Sequence, residues 1–575
     1  MSATRRGLLL AAGAAALAPS AASAADPFEM TLHGTARIIH QTDLHAQALP
    51  DQFREPSQNI GIGNQDGRPP HIVGHPFLSF YDIAPGSAAA HAFTFLDFER
   101  AARRFGPLGG TAQLATAIRS LRASAGAGRS LLLDGGDLTQ GSAMANLTRG
   151  QDMIAQGNLL GIDAMTGHWE FTYGQDGIEA LIRAFHGTFL AQNVFLSAEA
   201  SMEGKPAFDK ASGRVFPPFL LRELGGRRVA VIGQAFPYVP IAHPRRLTPD
   251  WRFGIHPARL QALVDTLRTR HRADCVLLLS HNGMAVDLKL AAHVRGIDVI
   301  LGGHTHDAVP VPVRIANAGG VTLVTNAGTA GKFLGVLDLD IGKGRVNDLR
   351  YHLLPVYSDR IRPDPAVAAL IARQRAPHLA MLTEQLAEAE TLLYRRNNFG
   401  GPVDRLICDA LREELDAEIG LSPGFRWGTT ILPGKITMEA LLAETAITYP
   451  QVTLTPMTGA AIHAMLEDVC DNLFNRNPYL QQGGDMIRVS GMRYSCTPAR
   501  RIGHRISAME LSDGRAIEAG KTYKVASWAP VHGVNTGKPV WEVVAGWLRR
   551  RKTVRIGTET GVRLEGVAGN PGLAA

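Results

Sequence analysis

A series of short apolar runs, each ending abruptly in glycine, aspartate or histidine, constrains the fold of this chain more than any other sequence feature. The runs are ARIIHQTD, SLLLDGGD, RVAVIGQA, DCVLLLSHNG and IDVILGGHTH. A run that is apolar throughout, without alternating polar residues, is typical of a strand buried on both faces. Helical stretches lie between the runs. The sequence therefore predicts an α/β domain over residues 30–355.

The length of the chain predicts at least one further domain, because 575 residues are too many for a single hydrophobic core. A helical connector is predicted over 360–393, opened by Pro365 and broken or kinked at Pro377. A second α/β unit is predicted over 395–565. Within the first domain, residues 48–96 are rich in Gly, Pro and His and are predicted to form a long functional or mobile loop.

The first residues predict a cleaved export signal over 1–24. The adjacent Arg5 and Arg6 precede an apolar stretch and small residues up to Ala24, which indicates the twin-arginine route and the periplasm. The alternative is a membrane anchor. It is disfavoured because the apolar run is bounded by Pro19 and is shorter than the roughly 20 residues that a membrane span needs.

Charge and cysteine content narrow the functional classes. The formal net charge of +7 is spread along the chain without a basic block, which argues against nucleic-acid binding and favours an anionic substrate or partner. The cysteines contain no CxxC pair and indicate neither a zinc site nor a disulfide framework, although the periplasm would permit one bridge. They are Cys275, Cys408, Cys470 and Cys496.

Candidate metal ligands follow the apolar runs. In open α/β sheets, sites form outside the carboxyl ends of strands, so residues that follow different strands can converge. Carboxylate and imidazole ligands without thiolates suit two divalent ions such as Mn²⁺ or Zn²⁺, and an aspartate can bridge ions roughly 3.5–4 Å apart. The candidates are Asp43, His45, Asp137, His168, His281, His304 and His306.

Each of these residues has an ordinary structural interpretation when taken singly. His281 alone would be a hydrogen-bonded core or loop histidine, Asp43 would cap a helix, and Asp137 would make a turn after its two glycines. The complete set favours a dinuclear metal site, because tight turns alone would not place Asp, His and Gly together after five different predicted strands.

The clusters also carry a family resemblance. The order DLH, GGD, GHWE, SHNG and GGHTH resembles the calcineurin-like metallophosphoesterases, and GKITMEALLAE with LTPMTGAAIHAMLED resembles the second domain of the 5′-nucleotidases. The resemblance implies a β-sandwich flanked by helices (αββα) followed by a 5′-nucleotidase-type α/β domain. It further implies that Asp137 bridges two metals, with one held by Asp43, His45, Asp137 and His306 and the other by Asp137, His168, His281 and His304.

The stretch GHWEFTYG departs from the nucleotidase pattern, which reads Gly-Asn-His-Glu-Phe-Asp. Here His168 stands at the metal-binding Asn position, Trp169 replaces the catalytic His, and Thr172 replaces its Asp partner. An indole cannot transfer a catalytic proton, and such help is worth about 10²–10⁴-fold in rate. The departure favours a substrate whose leaving group departs readily as an anion.

This departure, with FREPSQNIGIG, GQAFPY and PYLQQGGDMIRVSGM, resembles the thiosulfohydrolases of the Sox sulfur-oxidation system. The resemblance implies hydrolysis of a cysteine S-thiosulfonate on the carrier protein SoxYZ by metal-activated hydroxide, with release of sulfate. The alternatives are a periplasmic 5′-nucleotidase or cyclic-nucleotide phosphodiesterase and a non-enzymatic binding module, which would be expected to lose part of the metal set.

The second domain is expected to supply substrate contacts. Arg426, in SPGFRWG, is the candidate for gripping the sulfonate, since a guanidinium matches two oxygens, although it could be a surface arginine in a turn. Trp169 either lines the channel or only packs, and Tyr173 is a further candidate contact. Gln481 and Asp485 lie in a loop expected near the domain junction. Asp137, His168, Trp169 and Arg426 are the candidate catalytic residues.

Overall fold

Two six-stranded β-sheets form the centre of the N-terminal domain in a computed structural model that describes residues 27–533 and 536–574. The first sheet has the order Val346–Pro355, Phe333–Ile341, Ala36–Gln41, Ser130–Asp134, Ala164–Met165, Thr188–Phe189. The second has the order Val313–Asn317, Gly320–Asn326, Val299–Gly302, Cys275–Ser280, Arg227–Gln234, Phe219–Leu224. Four neighbouring strands run parallel in each sheet, so their carboxyl ends share one edge.

The two sheets pack face to face, with helices on both outer sides. Ile38 and Leu131 of the first sheet meet Val231 and Leu277 of the second in one buried cluster, whereas the next residue, Ile39, faces the outer helices. The helices outside the first sheet are Thr111–Ala125, Gln151–Leu160 and Gly174–Ala184, and those outside the second are Pro257–Thr269 and Met284–His293. This confirms the predicted αββα sandwich, with strands buried on both faces.

Residues 48–96 contain more regular structure than the predicted long loop. The segment includes helices Gly74–Phe80 and Ala88–Phe93 and a short strand at Pro50–Asp51. Ser87 caps the second helix, because its side chain accepts a hydrogen bond from the backbone of Ala90. Phe77 and Phe93 stack at 6.0 Å and anchor the segment on the sandwich.

The connector is helical only in its first half. Asp364 caps helix Pro365–Arg375, which ends before Pro377, as predicted. After a short helix at Leu379–Leu382, the chain forms strand Gln385–Ala389, which pairs with Gly434–Thr437 and Thr553–Val554. The prediction of helix up to residue 393 is therefore wrong, because pairing with these distant strands outweighs the helix propensity of QLAEAE.

The C-terminal domain is built around a four-stranded sheet of order Val452–Thr458, Thr522–Trp528, Ile419–Ser422, Arg488–Ser490. Helix Gly459–Phe474 packs on one face, and helices Pro402–Glu414 and Val540–Arg551 pack on the other. Helix Met438–Thr445 lies between the domains, where Leu442 contacts Met144 of the N-terminal domain. A second small sheet has the order Ile506–Leu511, Met492–Cys496, Val562–Leu564.

The export signal predicted over 1–24 lies outside the described residues. Among residues 27–533 and 536–574, no helix has the length and apolar character needed to cross a membrane. All four cysteines are buried as free thiols, and the Sγ atoms of Cys470 and Cys496 lie 3.6 Å apart.

Candidate dinuclear metal centre

Seven buried side chains converge at the shared edge of the two sheets. Each comes from the loop that follows a parallel strand, as the sequence predicts. Three strands of the first sheet and two of the second contribute to the group. The residues are Asp43, His45, Asp137, His168, His281, His304 and His306.

The seven side chains divide into two groups of four that share Asp137. One group is Asp43, His45, Asp137 and His306, and the other is Asp137, His168, His281 and His304. Within each group, one potential ligand atom per residue lies within 4.8 Å of the others. These are the same two sets that the family resemblance implies, so the chain carries two candidate metal-binding groups.

The backbone at this edge adopts an uncommon conformation. Positive φ angles between 47° and 72° occur at five of the seven residues, although a side chain there usually costs of order 1–3 kcal/mol. Such strain persists where the surrounding structure enforces it and is concentrated at functional sites. The five residues are Asp43, His45, Asp137, His304 and His306.

The electrostatics of the group are dominated by burial and by two carboxylates. Burial would raise the pKa of Asp137, but His281, His168 and His45 outweigh this and hold its pKa well below the usual range. Burial lowers the pKa of His45 to about 4. Burial also acts to lower the pKa of His281, yet Asp137 and Asp43 raise it to about 10. The site therefore favours positive charge beside these carboxylates.

The donor atoms fit divalent cations. Nε2 of His45 faces Nε2 of His306 at 3.0 Å, and Nε2 of His281 lies 3.1 Å from Oδ2 of Asp137. Both ring nitrogens of His168 are buried without a hydrogen-bond partner. Converging imidazoles and carboxylates without thiolates are a ligand set for Mn²⁺ or Zn²⁺.

Glu170 is a buried residue that the sequence analysis missed. Its Oε2 accepts a hydrogen bond from the backbone of His168 at 2.9 Å, and its Oε1 accepts one from Leu138 at 2.8 Å. The carboxylate thereby joins the turn that carries Asp137 to the turn that carries His168. Its only signal in the sequence is its place in GHWE, two residues after a candidate ligand.

Trp169 packs at the junction of the two domains. Its ring makes edge contacts with Phe425 at 5.4 Å and Trp427 at 6.2 Å, and its backbone N–H donates to Oδ1 of Asp137 at 2.7 Å. Thr172 also faces the second domain, where its hydroxyl lies 2.7 Å from that of Thr448. Neither position therefore supplies the nucleotidase dyad.

Tyr173 is buried away from the domain junction, contrary to the expectation that it contacts substrate. Its ring lies in the N-terminal core, and its hydroxyl donates to the carbonyl of Thr139 at 2.7 Å. Proximity to Trp169 in the sequence does not place Tyr173 at the junction, because the two side chains of the 3₁₀-helix Trp169–Tyr173 pack in the cores of different domains.

A cavity at the domain junction reaches His304, one of the seven candidate metal ligands. Arg426 lines it, as predicted, with Nη1 buried and unpartnered. Arg396, which the sequence analysis missed, lines it as well and donates from Nη2 to the carbonyl of Thr305 at 2.7 Å. Gln481 also lies on the wall. Arg396 is buried and the side chain of Arg426 is 14% exposed, and these two guanidinium groups make the cavity beside His304 suited to an anion.

His243 stands beside the position of the absent catalytic histidine. Its ring lies 4.6 Å from that of Trp169 and 5.3 Å from that of His168. Nδ1 is 3.2 Å from the hydroxyl of Tyr449, and burial holds the pKa of His243 well below its usual value. The neutral ring is therefore suited to accept a hydrogen bond rather than to donate a proton from an imidazolium.

Comparison with known proteins gives consistent matches. The family described as "5′-nucleotidase, C-terminal domain" matches residues 385–538. A bovine 5′-nucleotidase is 28% identical over 330 residues, which are 53% of this chain and 54% of the relative. The chain thus spans about half the length of the curated relatives it matches.

Solved structures extend the match to nearly the whole chain. The sulfate thiohydrolase SoxB from Thermus thermophilus, in complex with glycerol, is 37% identical with a TM-score of 0.87, covering 93% of this chain and 98% of its own. A 5′-nucleotidase precursor, also from Thermus thermophilus, is 22% identical with a TM-score of 0.72, covering 92% and 99%, and shares the fold.

Proposed function

Since this chain is a SoxB-like member of the 5′-nucleotidase family, a family of hydrolases, we propose that it is a thiosulfohydrolase. Its substrate is a cysteine S-thiosulfonate on the carrier protein SoxYZ. Water adds its oxygen to the sulfonate sulfur, and the bond between that sulfur and the sulfane sulfur breaks. The products are sulfate, a cysteine persulfide anion and two protons, so that atoms and charge balance.

The absence of the nucleotidase dyad carries the proposal. A persulfide leaves as an anion without protonation, whereas an alkoxide leaving group needs a proton donor. Trp169 and Thr172, at the dyad positions, are engaged in packing and hydrogen bonding at the domain junction. The intact ligand set beside them favours a hydrolase over a binding module.

Different residues of the chain are assigned to metal binding, to positioning of the ligands and to substrate binding. The two groups sharing Asp137 would hold two divalent cations, most simply Mn²⁺, which would activate water and stabilise developing negative charge. Glu170 fixes the two turns that present Asp137 and His168. Arg426 and Arg396 bind the sulfonate oxygens. The aromatic ring of Trp169 helps to exclude water at the junction.

The alternative is a 5′-nucleotidase or cyclic-nucleotide phosphodiesterase that uses another proton donor. His243 favours this alternative, because its imidazole lies next to both Trp169 and His168. The lowered pKa of His243 and its contact with Tyr449 weaken this alternative, because a neutral ring held in this way lacks an available acidic proton at neutral pH.

The test measures sulfate release from a carrier-peptide cysteine S-thiosulfonate beside phosphate release from AMP, using metal-stripped and Mn²⁺-reloaded enzyme. We expect metal-dependent sulfate release with little phosphate. The His243→Gln variant should retain sulfate release. Phosphate release that exceeds sulfate release and is lost in His243→Gln would replace the proposal with the nucleotidase alternative.

A further inference from the structure

The segment Gly483–Asp485 of the C-terminal domain lies against His304, one of the candidate metal ligands. A Cβ atom added at Gly483 would overlap Nε2 of His304 and would come within 3.3 Å of the Phe236 ring. Gly484 also has a positive φ, 76° against 83° for Gly483, but a Cβ there would meet nothing closer than the carbonyl oxygen of Gly424 at 3.5 Å. Close approach to His304 is therefore particular to Gly483.

The same segment occupies one edge of the Arg426 guanidinium. Nη2 of Arg426 donates to the carbonyl of Gly484 at 2.7 Å, and Nε donates to Oδ1 of Asp485 at 3.3 Å. Nη1 remains buried without a partner, and the arginine lines the cavity beside His304. The segment therefore uses the donors on one side of the guanidinium and leaves those on the other side for a ligand.

Asp485 is itself held firmly. Its backbone N–H donates to the carbonyl of Gly424 at 2.7 Å, and its Oδ2 lies 3.3 Å from Nη2 of Arg488. Burial would raise the pKa of Asp485, but Arg426 and Arg488 outweigh this and keep its pKa below the usual value. The carboxylate is thus ionised at neutral pH and is rigid enough to orient Arg426.

We propose that Gly483–Asp485 is a positioning segment, in which Asp485 and Gly484 aim Nη1 of Arg426 at the substrate anion while Gly483 lets the segment close against His304. The inference rests on the proposed function for the role of Arg426 as an anion-binding residue. It adds that Asp485 acts on the substrate only through Arg426, and that position 483 excludes any side chain.

The first test is a double-mutant cycle read by sulfate binding to the Mn²⁺-loaded enzyme, measured by calorimetry without turnover. Asp485→Asn should raise the sulfate Kd about 10-fold, the size expected for a weakened charge-assisted hydrogen bond. In an Arg426→Ala background, it should change the Kd by less than about 2-fold. Asp409→Asn, on helix Pro402–Glu414 and outside the cavity lining, removes the charge facing Arg405 but keeps an acceptor for the hydroxyl of Ser490, so it is the matched control.

The proposal would be overturned if Asp485→Asn weakened sulfate binding 10-fold in both the wild-type and the Arg426→Ala backgrounds. An unchanged sulfate Kd in Arg426→Ala alone would also overturn it. The readout separates this inference from the proposed function. Failure of the function appears as absent sulfate release in the turnover assay, whereas failure of the inference appears as additivity in the binding cycle.

The second test compares Gly483→Ala with Gly484→Ala and does not depend on the folding of an Asp485 variant. Both substitutions place a side chain at a positive φ, so their backbone strain is similar. Gly483→Ala should lower bound Mn²⁺, measured by elemental analysis, and raise the sulfate Kd at least 10-fold, whereas Gly484→Ala should retain both ions. Equal metal content and equal sulfate affinity in the two variants would overturn the role of Gly483.

Discussion

The two walls of the cavity are built differently. The N-terminal wall places the seven candidate metal ligands at the carboxyl ends of parallel strands, where the buried sandwich fixes each loop. The C-terminal wall presents Arg396, Arg426 and Gly483–Asp485 from loops. The first arrangement suits metal binding, which needs several fixed donors, and the second suits recognition, which varies between relatives of one fold. This difference predicts that changes to the N-terminal wall abolish activity and that changes to the C-terminal wall alter affinity.

The largest effect is expected for Asp137→Asn, because Asp137 is common to both ligand groups. The variant should lose at least one metal ion and lower kcat by more than about 100-fold, because loss of a residue that only supports a metal ligand already costs about 10–100-fold. Elemental analysis and sulfate release measure the two effects.

Asp134→Asn is the matched control for Asp137→Asn. Asp134 lies on the same strand end, where burial raises its pKa to about 8, so the substitution at pH 7 replaces a largely neutral carboxyl. It should keep both ions. Loss of metal from Asp134→Asn, or full occupancy in Asp137→Asn, would contradict the assignment of the N-terminal wall.

The same contrast explains what the sequence could predict. The sequence predicts the convergence of all seven candidate ligands, because each follows the end of an apolar segment within a few residues and the ends of parallel strands meet at one edge of a sheet. Arg396 and Glu170 were missed because their roles depend on which backbone groups they meet across the fold. The sequence wrongly predicts Tyr173 as a substrate contact, because proximity to Trp169 in the chain does not fix where the ring points. It also wrongly predicts helix at Gln385–Ala389, because the strands that pair with this segment lie far along the chain.

The next largest effect is expected for Arg396→Ala, which removes one of the two cavity guanidiniums. The apparent KM for the thiosulfonate substrate should rise about 10–100-fold, as expected for a lost hydrogen bond to a charged group, while kcat and metal content change little. Steady-state kinetics over a range of substrate concentrations separates KM from kcat.

Arg395 provides the internal comparison for Arg396. Its Nε donates to Oδ1 of Asp404 at 2.9 Å and its Nη1 to the carbonyl of Trp427 at 2.9 Å, inside the C-terminal core. Arg395→Ala should therefore lower the melting temperature far more than Arg396→Ala. If both variants lowered stability equally and neither changed KM, Arg396 would be a structural residue.

A smaller effect is expected for the double variant Trp169→His/Thr172→Asp, which restores the residue types of the nucleotidase dyad at the boundary between the walls. The rate of AMP hydrolysis should rise about 10-fold and the rate of sulfate release should fall about 10-fold. These changes are smaller than the roughly 10²–10⁴-fold rate effect of a well-positioned proton donor, because the residue types alone do not restore its position. The free energy of unfolding should drop by about 2 kcal/mol, because contacts with Phe425 and Trp427 are lost. Unchanged rates for both substrates would show that the dyad positions do not set specificity.

The smallest effect is expected for Lys289→Met, which loosens the C-terminal wall at its edge. Lys289 lies on helix Met284–His293, where its Nζ donates to Asn477 and sits 4.3 Å from the centre of the Tyr479 ring. A partly exposed contact of this kind contributes about 0.5–1 kcal/mol, and methionine keeps much of the apolar stem. We expect a slightly lower melting temperature and a KM within about 2-fold of wild type. A large rise in KM would mean that this single contact sets the position of the whole 477–485 segment, and the two walls would then be coupled far more tightly than the separate loop contacts indicate.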